Sequence, residues 1–107
     1  MIHELRIYEA MPGKLPALND RFAKHTLGFF KKHGIKVLGF WTEDIGTSNK
    51  LVYILSYESL ADREKKWSVF QADPDWQKLR AETEKDGPLV ARVHNSILRP
   101  TSYSPLQ

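Results

Sequence analysis

The sequence contains no cysteine, and this absence excludes several kinds of chemistry. Without a thiol the chain cannot form disulfides, use a thiolate nucleophile, or hold an iron–sulfur cluster or a cysteine-rich zinc site. The glycine-rich GxGxxG and P-loop patterns, the HExxH zinc motif and a serine nucleophile elbow are also missing. Nucleotide-dependent and hydrolytic reactions therefore have no support, and no metal or cofactor is expected.

Long apolar runs and an excess of one charge are missing as well. No segment approaches the roughly 20 apolar residues of a membrane helix, and Met1 leads into strand-like residues without a signal-peptide pattern. The net charge of +3 comes from 16 basic and 13 acidic residues that are interspersed, as in Asp62–Lys66. This mixture is typical of a solvated face and not of a phosphate-binding stripe. We expect a soluble cytoplasmic protein that binds neither membranes nor nucleic acid.

What is present fits one globular domain. A chain of 107 residues can enclose one hydrophobic core, and its 41% hydrophobic and 27% charged residues exclude a disordered chain. We treat residues 1–107 as a single domain, in which residues 99–107 form an extended C-terminal tail.

Residue periodicity predicts six elements in the order βαββαβ. Runs rich in β-branched and aromatic residues predict four strands, Ile2–Glu9, Lys36–Glu43, Leu51–Tyr57 and Leu89–Leu98. A helix is predicted from Lys14 to His33, because apolar residues recur on one stripe that includes Phe22 and Phe29. A second helix begins after Ser59, buries Leu60, Trp67 and Phe70, and restarts at Asp73-Pro74.

This order predicts an α+β fold of the ferredoxin-like type. Its four-stranded antiparallel sheet has the strand order 4-1-3-2 and carries both helices on one face. The other face should then be polar if it met water. Apolar residues nevertheless occupy both sides of strands two and three. Strand three has Leu51, Tyr53 and Leu55 on one side and Val52 and Ile54 on the other, and strand two has Leu38 and Phe40 on one side and Val37 and Trp41 on the other. We therefore expect a homodimer in which two sheets pack face to face as a dimeric α+β barrel.

Motifs along nearly the whole chain resemble one known family. They are Glu4-Leu5-Arg6-x-Tyr8, Pro12-Gly13, the run Gly39–Gly46 with Asn49, Tyr57-Glu58-Ser59-Leu60 with Arg63, Asp73-Pro74-x-Trp76, Leu98-Arg99-Pro100 and Ser104-Pro105-Leu106. In these residues the chain is similar to the NIPSNAP family of the dimeric α+β barrel superfamily. The resemblance implies a ferredoxin-like protomer and a sheet-to-sheet dimer but no particular reaction. More distant members of that superfamily include cofactor-free monooxygenases, haem-degrading enzymes and lactone isomerases.

The first strand supplies most of the candidate catalytic residues. Glu4, Arg6 and Tyr8 alternate along it and so share one face, where they could bind a carboxylate or enolate oxygen in an apolar pocket. Alternatively, Arg6 pairs across the dimer barrel. His3 near the start of this strand and His94 near the end of strand four could approach each other and bind a metal or transfer protons. Ordinary hydrogen-bonded histidines explain them better, so no metal site is predicted.

Three further side chains are candidates for ligand binding. Arg63 lies on the apolar stripe of the second helix and needs an anion, for which Glu43 or Asp44 is the expected partner and a ligand the alternative. Trp41 and Tyr53 could line a cavity between helices and sheet. Trp41 follows a glycine in an edge strand, where a ring or a ligand would find room.

Two hypotheses about function follow. In the first, a homodimer binds a small molecule in a pocket between sheet and helices and acts as a cofactor-independent oxygenase or isomerase, to which His3, Arg6, Tyr8, Trp41 and Tyr53 contribute. In the second, the same residues serve folding and the dimer is a non-catalytic interaction or scaffold protein. A cavity touched by Arg6 or Tyr8 would favour the first, and a filled interior the second.

Overall fold

The computed structural model describes all 107 residues and has the predicted α+β, ferredoxin-like architecture. Four strands form one antiparallel sheet in the order β2-β3-β1-β4. They are β1 (Ile2–Ala10), β2 (Lys36–Thr42), β3 (Lys50–Tyr57) and β4 (Val90–Leu98). The helices are α1 (Leu15–Arg21), α2 (Leu27–Lys32), α3 (Leu60–Ala72) and α4 (Pro74–Thr83), and none of them is long and apolar enough to span a membrane.

The alternation of β1 decides which side chains meet the helices. Arg6 lies opposite Tyr53 of β3 and Asn95 of β4, and these three residues share the face covered by the helices. Glu4 and Tyr8 lie on the same face of the strand, as predicted, since side chains two apart point the same way. The helix-covered face thus contains a line of polar groups in its central strand.

Aromatic rings fill most of the space between this face and the helices. Phe70 is buried against Phe30, and Phe22 and Phe30 are buried against Tyr53; the ring centroids of Phe22 and Tyr53 lie 5.2 Å apart. Those of Phe70 and Trp76 lie 4.9 Å apart. Large rings bury much apolar area, so this cluster supplies a major part of the hydrophobic stabilisation.

The predicted helix 14–33 is interrupted in its middle by a π-helical turn, Phe22–Thr26. A π turn adds one residue to the helix and rotates everything that follows relative to a regular 3.6-residue period. Phe30 therefore occupies the core with 1% exposure, where the uninterrupted period had placed Phe29. Arg21, which precedes the π turn, is buried as well.

Strand β2 contains a bulge that the sequence pattern did not reveal. Val37 pairs with Leu55 but Gly39 pairs with Ile54, which leaves Leu38 as the extra residue. Because a bulge reverses the alternation, Val37 packs against the core and the expected grouping of Leu38 with Phe40 is wrong.

The second helical region begins and restarts at the predicted caps. Ser59 Oγ accepts a hydrogen bond from the backbone N–H of Asp62 at 3.1 Å, and Asp73 Oδ1 accepts one from Asp75 at 2.9 Å. Leu60 is 45% exposed and not buried as predicted, because the stripe of α3 that faces the sheet begins one turn later, at Arg63.

No helix covers the other face of the sheet. Leu5, Ile7, Val52 and Ile54 are only half-buried there, and the Trp41 side chain is 51% exposed. The C-terminal residues 99–107 form a turn, in which the N–H of Ser104 donates to the carbonyl of Thr101, and border this face at one end. Most of the apolar surface of this face therefore lacks a partner within the protomer.

Candidate functional site

A cavity of about 310 Å³ lies between the helices and the β1–β4 half of the sheet. Its size is at the lower end of that of small-molecule pockets. Arg6 and Tyr8 contribute from the sheet, and aromatic rings from the helices form the apolar part: Phe22, Phe30, Trp67, Phe70 and Trp76. Arg21, Arg80, Arg92 and Glu84 supply further charged groups. The site therefore combines an apolar interior with a few polar groups, as ligand-binding cavities do.

The polar floor is a hydrogen-bonded chain of Arg6, Tyr53 and Tyr8, of which only Arg6 and Tyr8 line the cavity. Tyr53, which was expected to line it, is fully buried and does not. Arg6 Nε donates to Tyr53 Oη at 2.9 Å, and Tyr53 Oη donates to Tyr8 Oη at 2.8 Å. Arg6 Nη2 also donates to Tyr8 Oη at 3.3 Å. Tyr8 Oη thus accepts two hydrogen bonds while its own proton has no acceptor in the protein, which leaves a donor for a bound molecule.

The protonation states within this chain follow from burial and charge. Burial raises the pKa of Tyr53 well above its ordinary value, and the neighbouring Tyr8 raises it further against the opposing effect of Arg6. Burial alone would lower the pKa of Arg6, but the oxygens of Tyr53 and Tyr8 and the Glu4 carboxylate outweigh it and raise that pKa. At neutral pH the floor therefore contains a cation and a neutral phenol at Tyr53.

Arg63 does not pair with Glu43 or Asp44, as the sequence had suggested, but with Glu4. Its Nε and Nη2 atoms each donate to a carboxylate oxygen of Glu4 at 3.1 Å. The expected partners lie in the β2–β3 loop, where Glu43 accepts from the backbone of Thr47. Arg63 instead connects α3 to β1 through Glu4, and it does not line the cavity.

Glu4 itself is fully buried and holds three elements together. Besides Arg63 it accepts hydrogen bonds from Arg6 Nη1 at 2.9 Å and from Asn95 Nδ2 at 3.0 Å. Burial would raise the pKa of this carboxyl group, yet the bonds from Arg63 and Asn95 and the charge of Arg6 lower it. Arg6 therefore has its counter-ion within its own protomer, and the expected alternative of a pair across a dimer barrel is wrong.

The cavity is also lined by Arg21 and Trp76, which were not among the candidates predicted from sequence. Arg21 is buried, yet the only hydrogen bond of its side chain runs from Nη1 to Thr83 Oγ1 at 3.3 Å, and its Nε has no partner. Trp76 also has an unpaired buried Nε1. A basic residue beside the apolar stripe, next to Phe22, was the available signal for Arg21.

His3 and His94 do not approach each other. His3 lies opposite Leu98, whereas His94 lies opposite Ile7, four residues further along β1 and hence roughly 13 Å away. His3 Nδ1 lies 2.7 Å from Ser56 Oγ, and His94 Nε2 lies 3.0 Å from a carboxylate oxygen of Glu9. His94 falls in the middle of β4 and not at its end, which is why the expected pair is wrong.

Neither histidine contributes to the cavity, and the same is true of Trp41. All three are on the sheet face that the helices leave uncovered. The Trp41 ring fills the space above Gly39, where an added Cβ would lie 2.8 Å from a ring carbon. That room is thus used by the ring itself. No group of three or more His, Asp or Glu residues is placed to hold a metal ion.

Together these features define a ferredoxin-like α+β protein with an aromatic, arginine-containing cavity between its sheet and helices. The NIPSNAP family model matches residues 3–105, and the chain belongs to the NIPSNAP family. It is 29% identical over 106 residues to the protein NipSnap of Drosophila melanogaster and 23% identical over 107 residues to a homologue from Dictyostelium discoideum. These matches cover 99% of the chain but only 37% and 40% of those longer proteins.

Solved structures of bacterial NIPSNAP proteins agree closely with this fold. A NIPSNAP-like domain protein from Burkholderia xenovorans is 31% identical with a TM-score of 0.86, over 97% of this chain and 88% of that one. A NIPSNAP family protein from Agrobacterium tumefaciens is 26% identical with a TM-score of 0.88, over 99% and 98%. A candidate antibiotic biosynthesis monooxygenase from Nitrosomonas europaea, 11% identical over 94% and 98% of the two chains with a TM-score of 0.64, shares the fold alone.

Proposed function

We propose that this chain forms a homodimer in which each protomer binds a small molecule in the cavity between sheet and helices. The observation that carries this proposal is the cavity of about 310 Å³ in which Arg6 and Tyr8 meet a lining of aromatic rings. Such an arrangement binds a flat apolar body and orients one polar group. A protein with a filled interior would offer no such volume.

The polar floor is suited to chemistry on a ligand oxygen. The hydroxyl proton of Tyr8, which has no acceptor in the protein, and the positive charge of Arg6 could stabilise the negative charge that develops on a carbonyl oxygen as an enolate forms. Cofactor-independent oxygenases and isomerases need this kind of stabilisation. The shared fold with a candidate monooxygenase is compatible with this chemistry, although a fold does not determine a reaction.

The uncovered sheet face supports the homodimer. Its apolar residues Leu5, Ile7, Val52 and Ile54 are half-buried, and Trp41 is half-exposed, although an antiparallel sheet that faces water usually presents polar side chains. A second copy of the same face would bury them symmetrically. Light scattering is expected to give twice the chain mass of 12.4 kDa.

Ligand binding is tested with a substitution that fills the cavity and with the same substitution at an exposed position outside it. Val93 lines the cavity, whereas Val69 is 52% exposed on α3 and does not. In a ligand-observed NMR screen of small aromatic acids, amides and phenols, we expect Val93→Trp to lose the hits of the wild type and Val69→Trp to keep them. Equal binding by both variants would place the ligand elsewhere. A screen without any hit would contradict the proposal.

A non-catalytic dimer is the second candidate, and a specific observation favours it. Arg6 is engaged through Nε, Nη1 and Nη2, and Glu4 accepts four hydrogen bonds, so both residues have a complete structural role without a ligand. Turnover decides between the candidates. Loss of a measured activity in Tyr8→Phe, with ligand binding retained, would support the enzyme. A ligand that binds without turnover would support the non-catalytic dimer.

A further inference from the structure

The Arg21 end of the cavity contains hydrogen-bond donors that the protein leaves unused. Arg21 has 6% exposure and five N–H groups, but its side chain makes only one hydrogen bond, to Thr83. Arg6, with similar burial, donates from all three of its nitrogens. A buried guanidinium with so few acceptors is costly, and native structures rarely contain one without a reason.

The indole of Trp76 adds a second unused donor in the same corner. Its Nε1 is buried without a partner, and so is Nε of Arg21. The Arg21 Cζ atom lies 5.6 Å from the centroid of the Trp76 ring, and both side chains line the cavity. An acceptor oxygen in this corner would meet two kinds of donor at once.

Glu84 is the nearest protein anion and fills this role only in part. Its Oε1 lies 3.8 Å from Arg21 Nη1, which is too long for a hydrogen bond, while its Oε2 lies 3.3 Å from Nε of Arg80. Three charged side chains thus meet at this end, two cations and one anion. The local charge is positive, and one anionic group is needed to balance it.

We propose that the cavity selects a small aromatic carboxylate, whose carboxylate binds Arg21 and Trp76 in place of Glu84. This inference rests on the proposed function and adds the class of its ligand. The rings of Phe22, Phe30 and Phe70 contact the aromatic body, and the Arg6–Tyr8 floor lines the same cavity. The planar, charged guanidinium of Arg21 matches the geometry of a carboxylate and binds it more tightly than a neutral donor would.

The test compares acids with their amides, which have nearly the same shape but no charge. Benzoate, 2-naphthoate and indole-3-acetate are titrated by calorimetry against benzamide, 2-naphthamide and indole-3-acetamide. We expect at least one acid to bind at least tenfold more tightly than its amide. The indole N–H resonance of Trp76, assigned through Trp76→Phe among the three tryptophans, should shift with that acid and less with the amide.

Two variants separate the Arg21 subsite from general effects. Arg21→Met should reduce the affinity for the acid to that for the amide and leave the amide unchanged, whereas Arg99→Met in the C-terminal turn should alter neither. Glu84→Gln tests the same subsite if Arg21→Met does not fold. It should raise the affinity for the acid several-fold, because the competing carboxylate is gone.

The outcomes distinguish this inference from the proposed function. If acid and amide bind equally in the wild type and in Glu84→Gln, the cavity binds small molecules but the Arg21 subsite is wrong. If neither acids nor amides bind, the proposed function and this inference fail together. Selective binding of the acid that survives Arg21→Met would also overturn the assignment.

Discussion

Three arginines on the helix-covered side of the sheet differ in their surroundings. Arg63 forms a bidentate pair with Glu4, and Arg6 donates to Glu4 and to both tyrosines. Arg21 has one long hydrogen bond and a distant carboxylate. Because a buried cation is stabilised mainly by its acceptors, the first two arginines stabilise the fold and the third depends on an additional anion.

Glu4→Gln is expected to lower the free energy of unfolding by about 3–5 kcal/mol. Removing one partner of a buried ion pair leaves the remaining charges without compensation, and here two arginines lose their carboxylate. The control is Glu64→Gln, because Glu64 also contacts Arg63 but is exposed, and an exposed pair is worth about 0–1 kcal/mol. Urea unfolding measures both. A loss below about 1 kcal/mol for Glu4→Gln would contradict the structural role of the network.

The same carboxylate makes stability depend on acid pH. The pKa of Glu4 is lowered in the folded protein from an ordinary value of 4.5, so its stabilisation is present above that pH and is lost as the pH falls through the lower folded value. The free energies of unfolding of wild type and Glu4→Gln should therefore differ at pH 7 and converge below about pH 4.5. Parallel curves over this range would be inconsistent with the lowered pKa. Lys32 and His33 also lower the pKa of Asp73, so both proteins should still lose the stability that the Asp73 carboxylate contributes when the pH becomes acidic.

At the scale of elements, a π turn in the first helical region and a bulge in the edge strand determine which side chains face the core. The π turn Phe22–Thr26 follows Arg21 and places Phe30 in the core, and Phe22 and Thr26 both line the cavity. The bulge at Leu38 shifts Val37 toward the core and leaves Gly39 and Trp41 on the uncovered face. Both features insert one residue, and each changes which side chain meets which surface.

Two glycines provide a matched test of these elements. Gly28 lies in α2, where an added Cβ meets no atom within 4 Å, so Gly28→Ala should raise the free energy of unfolding by about 0.5–1 kcal/mol. Gly39→Ala should bring no such gain, because its Cβ would lie 2.8 Å from the Trp41 ring and force the ring to move. Urea unfolding and tryptophan emission test both changes. A stabilised Gly39→Ala protein with unchanged emission would contradict the observed position of the ring.

For the whole molecule, the two faces of the sheet have different roles. The helix-covered face holds the core, the Glu4 network and the cavity. The uncovered face is apolar in its centre, and no helix shields it. Since isolated domains rarely leave such a surface in water, its burial in a homodimer would add stability that the protomer alone lacks.

Ile7→Lys should convert the proposed homodimer into a monomer. Ile7 occupies the middle of the uncovered face, and a symmetric interface would bring two added charges together in an apolar contact. Ile45→Lys is the control, because Ile45 is 98% exposed in the β2–β3 loop. Light scattering should give the monomer mass for the first variant and the dimer mass for the second. A monomeric wild type, or a dimeric Ile7→Lys protein, would exclude this interface.

The candidate site was predictable only in part. The strand period placed Arg6 and Tyr8 on one face, and the structure gives both a position in the cavity. Arg21 and Trp76 were missed because their significance lies in hydrogen bonds they do not make, which no sequence pattern records. Arg63 was recognised as a buried cation, but its partner Glu4 is 59 residues away in the chain.

The sequence alone determined the order of the elements and the helix caps, because alternation, helix period and capping act over a few neighbouring residues. The strand order of the sheet followed from that βαββαβ order. Only the tertiary structure decided the register that separates His3 from His94, the residues inserted at the π turn and the bulge, and the partner of Arg63. These features depend on side chains that are distant in the chain and become neighbours only when helices pack on the sheet.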